Sequence, residues 1–383
     1  MIKIVHLITG LGLGGAENQL VHFVTESDPS RFKHIVISMQ DNGRLGTKLL
    51  AHGISVYTLN MQRGIPSIEA CWSLMKILRF EDPHILQTWL YHADLLGLLI
   101  GKMLRVPKII WNLRCSNMNT DHYSWLTSFV IKACSRLSGF PDAVIVNSTA
   151  GKQTHQRLGY RVQHWLTIPN GFNTEYFKPD QKARGQIRSI LKIDEEVPIL
   201  GMIARFDPMK DHDSFLLSIN KLRNRIQHFR VILLGTDIDK KNTKLMAKIK
   251  ELKLEDYILL LGPRQDMPEV MNALDILVLT SAFGEGFSNV LGEAMACGIV
   301  CVATDVGDSA EIIGTMGKIV PPKSPEILAQ ALEEFIVLDK QKKSILGQQA
   351  RQSIIDRYHV SMMIKKYESA YEALFKVGSS RNK

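Results

Sequence analysis

The sequence predicts an α/β fold of two doubly wound domains, each built on a parallel sheet. Short apolar runs rich in valine and isoleucine alternate with amphipathic, helix-length segments over most of the chain. This alternation stops once, near residues 170–195, and then starts again. The length of 383 residues also exceeds what a single hydrophobic core usually serves, which favours two domains.

The first half of the chain contains seven predicted strands. Helix-length segments such as AENQLVHFVTE (16–26) and SIEACWSLMKILRF (67–80) separate them, which is typical of repeated βαβ units. Helices cover both faces of such a parallel sheet, so its strands are expected to be apolar throughout. The predicted strands are IKIVHLIT (2–9), HIVISMQ (34–40), ISVYTLN (54–60), HILQTW (84–89), KIIWNLR (108–114), AVIVNS (143–148) and HWLTIP (164–169).

The turn-rich segment NGFNTEYFKPD (170–180) predicts a linker to the second half. The final stretch DRYHVSMMIKKYESAYEALF (356–375) has the apolar spacing of one long helix. We therefore expect an N-terminal domain over residues 1–175, a second domain over 176–355 and a closing helix over 356–383. Ligands bind beyond the carboxyl ends of parallel strands, so the two domains are predicted to face each other across a ligand cleft. The six strands predicted for the second half are PILGMIARF (198–206), RVILLGT (230–236), YILLLG (257–262), ILVLTS (276–281), IVCVATD (299–305) and GKIVPP (317–322).

The net charge of +9 is concentrated in the first half of the chain. Residues 1–178 contain 18 Lys and Arg against 11 Asp and Glu, and nine of the twelve histidines. A basic half indicates an anionic membrane surface or a phosphorylated substrate, although a merely solvated basic surface is the alternative. We expect no nucleic-acid partner, because no nucleic-acid motif occurs. The apolar runs are too short to span a bilayer, and MIKIVHLIT is predicted to be a strand rather than a signal peptide.

The stretch FGEGFSNVLGEAMACG (283–298) places Glu285 and Glu293 eight positions apart around a predicted helix start at Ser288 or Asn289. A glycine turn that leads into a helix offers free backbone N–H groups and a positive dipole end, which together favour an anion. At 1.5 Å per helical residue the two acids would bracket about 10 Å, with the anion between them. A nucleotide sugar has this layout, with a sugar, a diphosphate and a ribose. The alternative is that one acid is a loop residue and the other pairs with a basic neighbour.

Two cations follow the first predicted strand of the second half. Arg205 and Lys210 lie in GMIARFDPMKDHDSF, at the carboxyl end of that strand, where a ligand crevice opens. Fixed cations can stabilise a departing diphosphate, and such stabilisation is typically worth on the order of 3 kcal/mol in the transition state. Surface ion pairing is the alternative role for both.

Four features occur together in this order: GLGGAE near the start, IPNGFNTEYFKP at the linker, the Arg-x4-Lys pattern, and EGFSNVLGEAMACG with its Glu-x7-Glu spacing. Together they resemble the retaining glycosyltransferases of family 4, which have the GT-B fold of two Rossmann-like domains. The resemblance covers nearly the whole chain and is strongest over residues 198–325.

The resemblance implies a role for each matching residue. Arg205 and Lys210 would hold the donor diphosphate, Glu293 the ribose and Glu285 the donor sugar hydroxyls. The closing helix would cross back to the first domain. The backbone that caps the diphosphate would come from Gly286, Phe287, Ser288 and Asn289, and the base would pack near Gly262 and Arg264.

The glycine loop TGLGLGGAE allows two other interpretations. Gly10, Gly12 and Gly15 match the dinucleotide fingerprint G-x-G-x-x-G, and Asp41 ends the next predicted strand, so an NAD site is an alternative. A tight turn without ligand contact is another. The resemblance instead places Gly14 and Gly15 near the donor phosphate and the acceptor.

Two further residues of the first half are candidate site residues. His92 opens a predicted helix after a strand, and family members often carry a histidine near the anomeric centre of the sugar; a surface or N-cap role is the alternative. Arg114 ends the strand KIIWNLR and could hold an acceptor phosphate, or form an internal ion pair. Many family members have a histidine-containing pattern near that strand end, so NLRCSN departs from the family.

Asp211 and Asp213 spell the D-x-D that metal-dependent glycosyltransferases use, but they precede the predicted helix DSFLLSINKLRN. Acids at that position cap the helix and complement its dipole. We therefore expect no metal site and no cofactor beyond the nucleotide sugar as co-substrate.

The sequence thus predicts a metal-independent, retaining glycosyltransferase of hexosyl or N-acetylhexosaminyl type. The resemblance and the basic first half together favour a role in lipopolysaccharide or capsule assembly, with an acceptor glycan that is lipid-linked. The expected location is the cytoplasm, including the cytoplasmic face of a membrane with anionic lipid. The alternatives are a sugar-nucleotide epimerase or hydrolase of the same fold, and a non-enzymatic nucleotide-sugar binding protein.

Overall fold

A computed structural model of the chain describes residues 1–12, 14–62, 67–116 and 125–379. The chain divides into two compact units. Unit 1 comprises residues 1–171 and 360–383, and unit 2 comprises residues 172–359. These limits differ by only a few residues from the predicted boundaries at 175 and 355.

Unit 1 is built on a seven-stranded, fully parallel sheet with the order β3-β2-β1-β4-β5-β6-β7. Each of its strands overlaps one of the seven predicted runs, so those predictions are confirmed. The five inner strands are buried because helices cover both faces of the sheet, whereas the edge strands β3 and β7 are partly exposed. The strands are β1 (Ile2–Ile8), β2 (Phe32–Ser38), β3 (Ser55–Thr58), β4 (Ile85–Trp89), β5 (Lys108–Leu113), β6 (Ala143–Val146) and β7 (Trp165–Thr167).

Two helix layers flank this sheet. One layer contains the first two helices and the last helix of the chain, and it packs on an apolar core that includes Phe23, Tyr367 and Tyr371. The helices between β3 and β6 form most of the opposite layer. The helices of unit 1 are α1 (Gly15–Glu26), α2 (Gly43–Ala51), α3 (Ile68–Glu81), α4 (Tyr91–Met103), α5 (Trp125–Leu137), α6 (Thr149–Arg157) and α15 (Val360–Ser379).

Unit 2 contains a six-stranded parallel sheet with the order β10-β9-β8-β11-β12-β13. All six strands predicted for the second half are confirmed. The strands are β8 (Ile199–Ile203), β9 (Arg230–Leu234), β10 (Ile258–Leu260), β11 (Ile276–Leu279), β12 (Val300–Thr304) and β13 (Lys318–Val320). The helices are α7 (Gln181–Leu191), α8 (His212–Arg223), α9 (Thr243–Glu251), α10 (Met267–Ala273), α11 (Asn289–Ala296), α12 (Ser309–Ile313), α13 (Pro325–Val337) and α14 (Lys340–Tyr358).

The single long helix predicted over 356–375 is wrong. Helix α14 ends at Tyr358, His359 is extended (φ −58°, ψ 141°), and α15 starts at Val360. The Tyr358 carbonyl accepts a hydrogen bond from the Phe172 N–H at 2.9 Å, within unit 2. Within unit 1, the Tyr367 ring stacks on Phe23 at 4.5 Å. The apolar spacing continues through the break because the residues on each side are buried in a different unit, so periodicity could not reveal it.

The strand order reverses once in each sheet, and this places the loops that carry candidate residues. In unit 1 the reversal lies between β1 and β4, and in unit 2 between β8 and β11. Neighbouring loops diverge at such a point and leave a crevice beyond the carboxyl ends of the strands. The loops that follow these four strands are therefore where each unit is expected to bind a ligand.

Among the described residues, no helix has both the length and the apolar character that a membrane span requires.

Candidate functional site

The two loops at the reversal point of unit 2 are tied together by hydrogen bonds. The Thr280 hydroxyl donates to the Lys210 carbonyl at 2.8 Å. The Ala282 N–H donates to the Met209 carbonyl, also at 2.8 Å. The hydroxyl of Thr304, the last residue of β12, donates to the Ser281 carbonyl at 2.7 Å. The loop after β8 and the loop after β11 are therefore one rigid structure, although some 70 positions separate them in the sequence.

Lys210 and Glu285 form an ion pair within this structure. Their side chains are 14% and 10% exposed, and the same Glu285 oxygen accepts a 2.7 Å hydrogen bond from the Ser281 hydroxyl. Burial alone would raise the pKa of Glu285, but the charge and hydrogen bond of Lys210, with the Ser281 hydrogen bond, lower it below its ordinary value. Glu285 is therefore an ionised carboxylate at neutral pH.

Arg205 is positioned by an acid that the sequence interpretation did not consider. The Arg205 Nε donates to Asp207 Oδ2 at 3.0 Å, and the other oxygen of Asp207 accepts the Met209 N–H at 2.9 Å. Asp207 thus orients Arg205 and also caps the 3-10 turn Pro208–Lys210 that carries Lys210. The sequence signal was an acid directly before proline and two residues after the cation.

Both predicted cations therefore have acidic partners, as the ion-pair alternative required. The Arg205 side chain nevertheless remains 56% exposed, and an exposed pair of this kind is weak. Its guanidinium can turn towards a ligand at little cost.

Glu293 lies within α11, and within the described part of the chain its carboxylate has neither an ion-pair nor a hydrogen-bond partner. Burial raises its pKa to about 7. The alternative that Glu293 pairs with a basic neighbour therefore does not hold. A partly buried acid without a partner is costly in the absence of ligand, and it would accept hydrogen bonds from vicinal hydroxyls.

The segment before α11 would contact a ligand through its backbone rather than through its side chains. Phe287 is buried, with its ring 6.2 Å from that of Phe172 and 4.9 Å from that of Tyr358. Ser288 occupies the N-cap position of α11 without making a side-chain capping hydrogen bond, and Asn289 is the first helical residue. The Gly286 carbonyl accepts the Asp308 N–H at 2.9 Å, which fixes the turn.

Gly262 and Arg264 lie on the loop that follows β10, at the edge of the sheet. Gly262 has a left-handed backbone (φ +63°) and nothing packs where a side chain would begin. Arg264 donates from Nε to Asp266 at 2.8 Å. This hydrogen bond raises the pKa of Arg264 and lowers that of Asp266.

The D-x-D acids have the structural role that the sequence analysis favoured. Asp211 is the N-cap of α8, and its carboxylate accepts the Ser214 N–H at 3.2 Å. Asp213 lies in the first turn of the same helix. Within the described ranges, no group of three or more His, Cys, Asp or Glu side chains is arranged to hold a metal ion.

In unit 1, the glycine loop leads into α1 without a left-handed residue at Gly14 or Gly15. Gly14 is the N-cap of α1 with φ −114° and ψ 166°, a conformation open to any residue. The tight-turn alternative therefore does not explain a glycine there. A Cβ on Gly14 would lie 2.1 Å from Glu17 Oε2, so the Glu17 carboxylate folds back over this position.

His92 is the second residue of α4, at the other side of the reversal point of unit 1. The N-cap is Leu90, so the N-cap alternative for His92 is wrong. Leu90 has φ +73°, an unusual conformation for a leucine, and strain of this kind concentrates at functional sites. His92 is partly buried, which lowers the pKa of its imidazole and favours the neutral form.

Arg114 follows β5 and makes no ion pair within the described residues. Its guanidinium donates to Asn170 Oδ1 at 2.6 Å and to the Tyr367 hydroxyl at 3.4 Å. It also lies 5.4 Å from the centre of the Trp89 ring. The internal ion-pair alternative is therefore not what the structure contains.

Two family models match the chain. The model described as Glycosyltransferase Family 4 matches residues 13–176, and the model described as Glycosyl transferases group 1 matches residues 197–337. The chain is a glycosyltransferase with a family 4 domain and a group 1 domain. The first match falls almost entirely in unit 1 and the second in unit 2, so both halves of this glycosyltransferase have family counterparts.

Two relatives of this glycosyltransferase are named for their reactions. The Escherichia coli UDP-Gal:alpha-D-GlcNAc-diphosphoundecaprenol alpha-1,3-galactosyltransferase is 21% identical over 317 residues, 80% of either chain. The Campylobacter jejuni N-acetylgalactosamine-N,N'-diacetylbacillosaminyl-diphospho-undecaprenol 4-alpha-N-acetylgalactosaminyltransferase is 30% identical over 210 residues, 54% of this chain and 56% of that one.

Among solved structures, Anabaena HepE in complex with UDP-glucose is similar with a TM-score of 0.85 and 23% identity. The likeness covers 97% of this chain and 100% of that one. It confirms the predicted GT-B class of two Rossmann-like units.

Proposed function

We propose that this glycosyltransferase moves a sugar from a nucleotide diphosphate donor to a hydroxyl acceptor, with retention of configuration at the anomeric carbon. The transferred group would be a hexose or an N-acetylhexosamine. The setting would be the assembly of a bacterial surface glycan such as lipopolysaccharide or capsule.

The observation that carries the proposal is the charge arrangement at the reversal point of unit 2. Two cations, Arg205 and Lys210, lie on a loop that is hydrogen-bonded to the segment before α11. The unpaired carboxylate of Glu293 follows on that helix. A diphosphate between the cations and the helix start, with the ribose at Glu293, would give partners to the weakly paired Arg205 and to Glu293.

The proposed reaction assigns a role to each of these residues. The bond between the anomeric carbon and the phosphate oxygen would break, with Arg205 and Lys210 stabilising the charge on the departing diphosphate. The acceptor oxygen would bond to the anomeric carbon from the same face, and its proton would pass to the departing phosphate oxygen. Glu285 is ionised, so it would accept hydrogen bonds from sugar hydroxyls and would not act as a proton donor.

The ionised form of Glu285 also supports a reaction without a metal. Lys210 already supplies the positive charge beside this carboxylate, and Asp211 is engaged as a helix cap. Undiminished turnover in excess EDTA would agree with this part of the proposal; loss of turnover, restored by Mg²⁺ or Mn²⁺, would refute it.

The acceptor is proposed to be a lipid-linked glycan. The Escherichia coli and Campylobacter jejuni relatives are both named for acceptors joined to undecaprenol through a diphosphate. An acceptor of this kind is held at a membrane, which requires the enzyme to reach the lipid surface.

Helix α5 of unit 1 has the face that such docking needs. Trp125 and Phe129 are 81% and 59% exposed, and Lys132 and Arg136 are exposed at the following positions of the same stripe. The helix contains no acidic residue. Exposed aromatic residues next to basic ones favour the interface of an anionic bilayer, so we propose that this face of α5 binds anionic lipid.

Vesicle co-sedimentation tests the docking surface. The wild type is expected to bind phosphatidylglycerol vesicles and not phosphatidylcholine vesicles at low salt. Trp125→Ser with Phe129→Ser should reduce this binding, whereas Ile190→Ser, which removes an exposed side chain of unit 2 (68% exposed), should not. Equal binding to both lipids, or equal loss in the control, would exclude the α5 surface.

The donor is tested first, by thermal unfolding in the presence of UDP-, GDP-, ADP-, dTDP- and CMP-sugars, with NAD as a control. A ligand at about 100 times its dissociation constant adds roughly 2.7 kcal/mol of stability. One nucleotide sugar should stabilise the wild type but not Lys210→Ala or Glu293→Ala. Stabilisation by NAD alone would instead support the dinucleotide interpretation of the glycine loop.

Turnover then separates the enzyme classes, and NMR of the product reports its anomeric configuration. An epimerase or hydrolase would convert the donor without an acceptor, and a binding protein would turn over nothing. An α-linked product from an α-linked donor supports retention; inversion would contradict it.

A further inference from the structure

Among the described residues of unit 1, the cation Arg114 has only neutral hydrogen-bond partners. Arg114 is hydrogen-bonded to the amide oxygen of Asn170 and the hydroxyl of Tyr367. Its Nε is buried and has no hydrogen-bond partner in the part of the chain that the structure describes. Burial lowers the pKa of Arg114, but a guanidinium stays charged in proteins. Desolvating a cation without a paired anion costs free energy. The presence of such a cation in a folded protein therefore calls for an explanation.

The surroundings of Arg114 form a polar edge rather than an apolar core. Arg114 follows β5, Asn147 follows β6 and Asn170 follows β7, and these three strands are neighbours in the sheet. The Asn147 amide approaches Asn170 Oδ1 at 3.4 Å, and its own buried oxygen has no partner. An unused donor and an unused acceptor therefore lie at the same edge, where ligands of parallel sheets bind.

The carboxylate of Glu17, at the start of α1, acts on Arg114 through its charge. Glu17 and Arg114 interact through their charges but do not reach ion-pair distance. Burial raises the pKa of Glu17, partly offset by its own backbone N–H and by Arg114. The carboxylate is close enough to influence an anion at Arg114, yet it does not itself neutralise the guanidinium.

We propose that Arg114, oriented by its hydrogen bond to Asn170, is the subsite for an oxyanion of the acceptor. Phosphate is tetrahedral and carboxylate is planar, but each presents two oxygens that can accept two hydrogen bonds from one guanidinium. This inference rests on the proposed function, because it takes the donor diphosphate to be held in unit 2. Glu17 opposes the ligand charge and so tunes the affinity of the subsite.

Titration calorimetry at low ionic strength tests the subsite without knowledge of the natural acceptor. The probe is inorganic pyrophosphate, with D-glucuronate as the carboxylate arm. Both are titrated into Lys210→Ala, in which the principal donor-side cation is absent, so that the remaining binding reports other sites. Arg114→Gln and Glu17→Gln are each added to this background.

Arg31→Gln is the matched control, because Arg31 belongs to the same unit but is paired with Glu368 and Glu372. It removes the same charge from a site whose acids already satisfy it. Thermal unfolding of each variant checks that the unit remains folded.

Arg114→Gln should weaken the binding of one probe at least tenfold, as expected for a charged hydrogen-bonded contact. Arg31→Gln should leave the affinity within about twofold, and Glu17→Gln should strengthen binding severalfold. The probe that binds more tightly tells whether the acceptor oxyanion is a phosphate or a carboxylate. The inference would be overturned if neither probe binds, or if Arg114→Gln and Arg31→Gln weaken the binding of the probe equally.

The donor measurement keeps the two proposals separate. If Arg114→Gln, with Lys210 intact, weakens nucleotide-sugar binding as strongly as it weakens pyrophosphate binding, the oxyanion belongs to the donor and the inference is wrong. If no nucleotide sugar binds the wild type but pyrophosphate binding still depends on Arg114, the anion subsite stands and the proposed donor falls.

Discussion

The candidate site cations of the two units have different kinds of partner. In unit 2, Lys210 is paired with buried Glu285 and Arg205 with Asp207. In unit 1, Arg114 is surrounded by an amide, a hydroxyl and an aromatic ring. Unit 2 also contains the reverse case, an acid without a cation, in Glu293.

The cations of the unit 2 site are balanced by acids before a ligand binds, whereas the cation of the unit 1 site is not. A buried pair costs desolvation energy but holds both side chains in a fixed geometry. A diphosphate that reaches Lys210 must share this cation with Glu285, which limits affinity but favours a defined orientation. Arg114 is partly buried and has no ion-pair partner among the described residues. An anionic ligand would offset the cost of its desolvation, so the edge of unit 1 should gain more stability from its ligand.

Lys210→Ala should produce the largest effect and would break the balanced site of unit 2. We expect turnover of the identified donor to fall by about 10²–10³, the loss typical for one electrostatic stabiliser. Initial rates measure this, and Lys221→Ala, which removes an exposed lysine paired with Glu326, is the control. Turnover within about twofold of the wild type would remove Lys210 from the chemistry.

The same variant leaves Glu285 as a buried carboxylate without its cation, so the protein should also lose stability. Adding Glu285→Gln to Lys210→Ala should restore part of that loss, because removing both partners costs less than removing one. Chemical denaturation measures the difference.

Gly307→Ala should disturb the turn that presents the Glu285 loop. Gly307 has φ +66°, and a Cβ there would lie 2.5 Å from the carbonyl oxygens of Glu285 and Gly286. The backbone cannot move aside cheaply, so we expect a loss of about 2–3 kcal/mol from strain and overpacking combined. Gly262→Ala is the matched control, with φ +63° but no atom within 4 Å. Equal losses in both variants would show that conformation alone matters.

The fold was largely predictable because buried parallel strands give continuous apolar runs. All thirteen strands follow from this pattern, and so do the capping role of Asp211 and the positions of Arg205 and Lys210 after β8. The break at His359 could not be predicted, since apolar spacing continues through it.

The side-chain partners of the candidate cations in both units could not be predicted from the sequence. Lys210 meets Glu285 across 75 positions, and Arg114 meets Tyr367 across 253. No local pattern shows which acid a cation will contact, or that it will contact none. Asp207 was locally visible, but its double role depends on the geometry of the turn after β8.

Glu293→Gln should sharpen the comparison by separating stability from binding. The folded-state pKa of about 7 lies above the ordinary value of 4.5, so the folded protein holds this proton more tightly than the unfolded chain. Stability from this group is present below about pH 4.5 and is lost as the pH rises to about 7.

The glutamine variant should therefore be more stable than the wild type at about pH 8, by about 1–2 kcal/mol once partial exposure is allowed for. At about pH 4 the two proteins should unfold alike, since both side chains are then neutral. Nucleotide-sugar affinity should fall at about pH 8, where the wild type has a carboxylate, and the two affinities should converge at about pH 4. A variant that lost stability at the higher pH would show that Glu293 has a structural partner.

Gly14→Ala should give the smallest change in stability and the clearest contrast with Gly307→Ala. The backbone of Gly14 is open to any residue, and a Cβ would meet only the mobile end of Glu17. We expect a change in unfolding free energy below about 0.5 kcal/mol. Because the new methyl group displaces the Glu17 carboxylate from its position over residue 14, pyrophosphate affinity at Arg114 should change while stability does not. Calorimetry and denaturation on the same sample compare the two, and a large loss of stability would mean that the glycine serves the fold of unit 1 rather than a ligand.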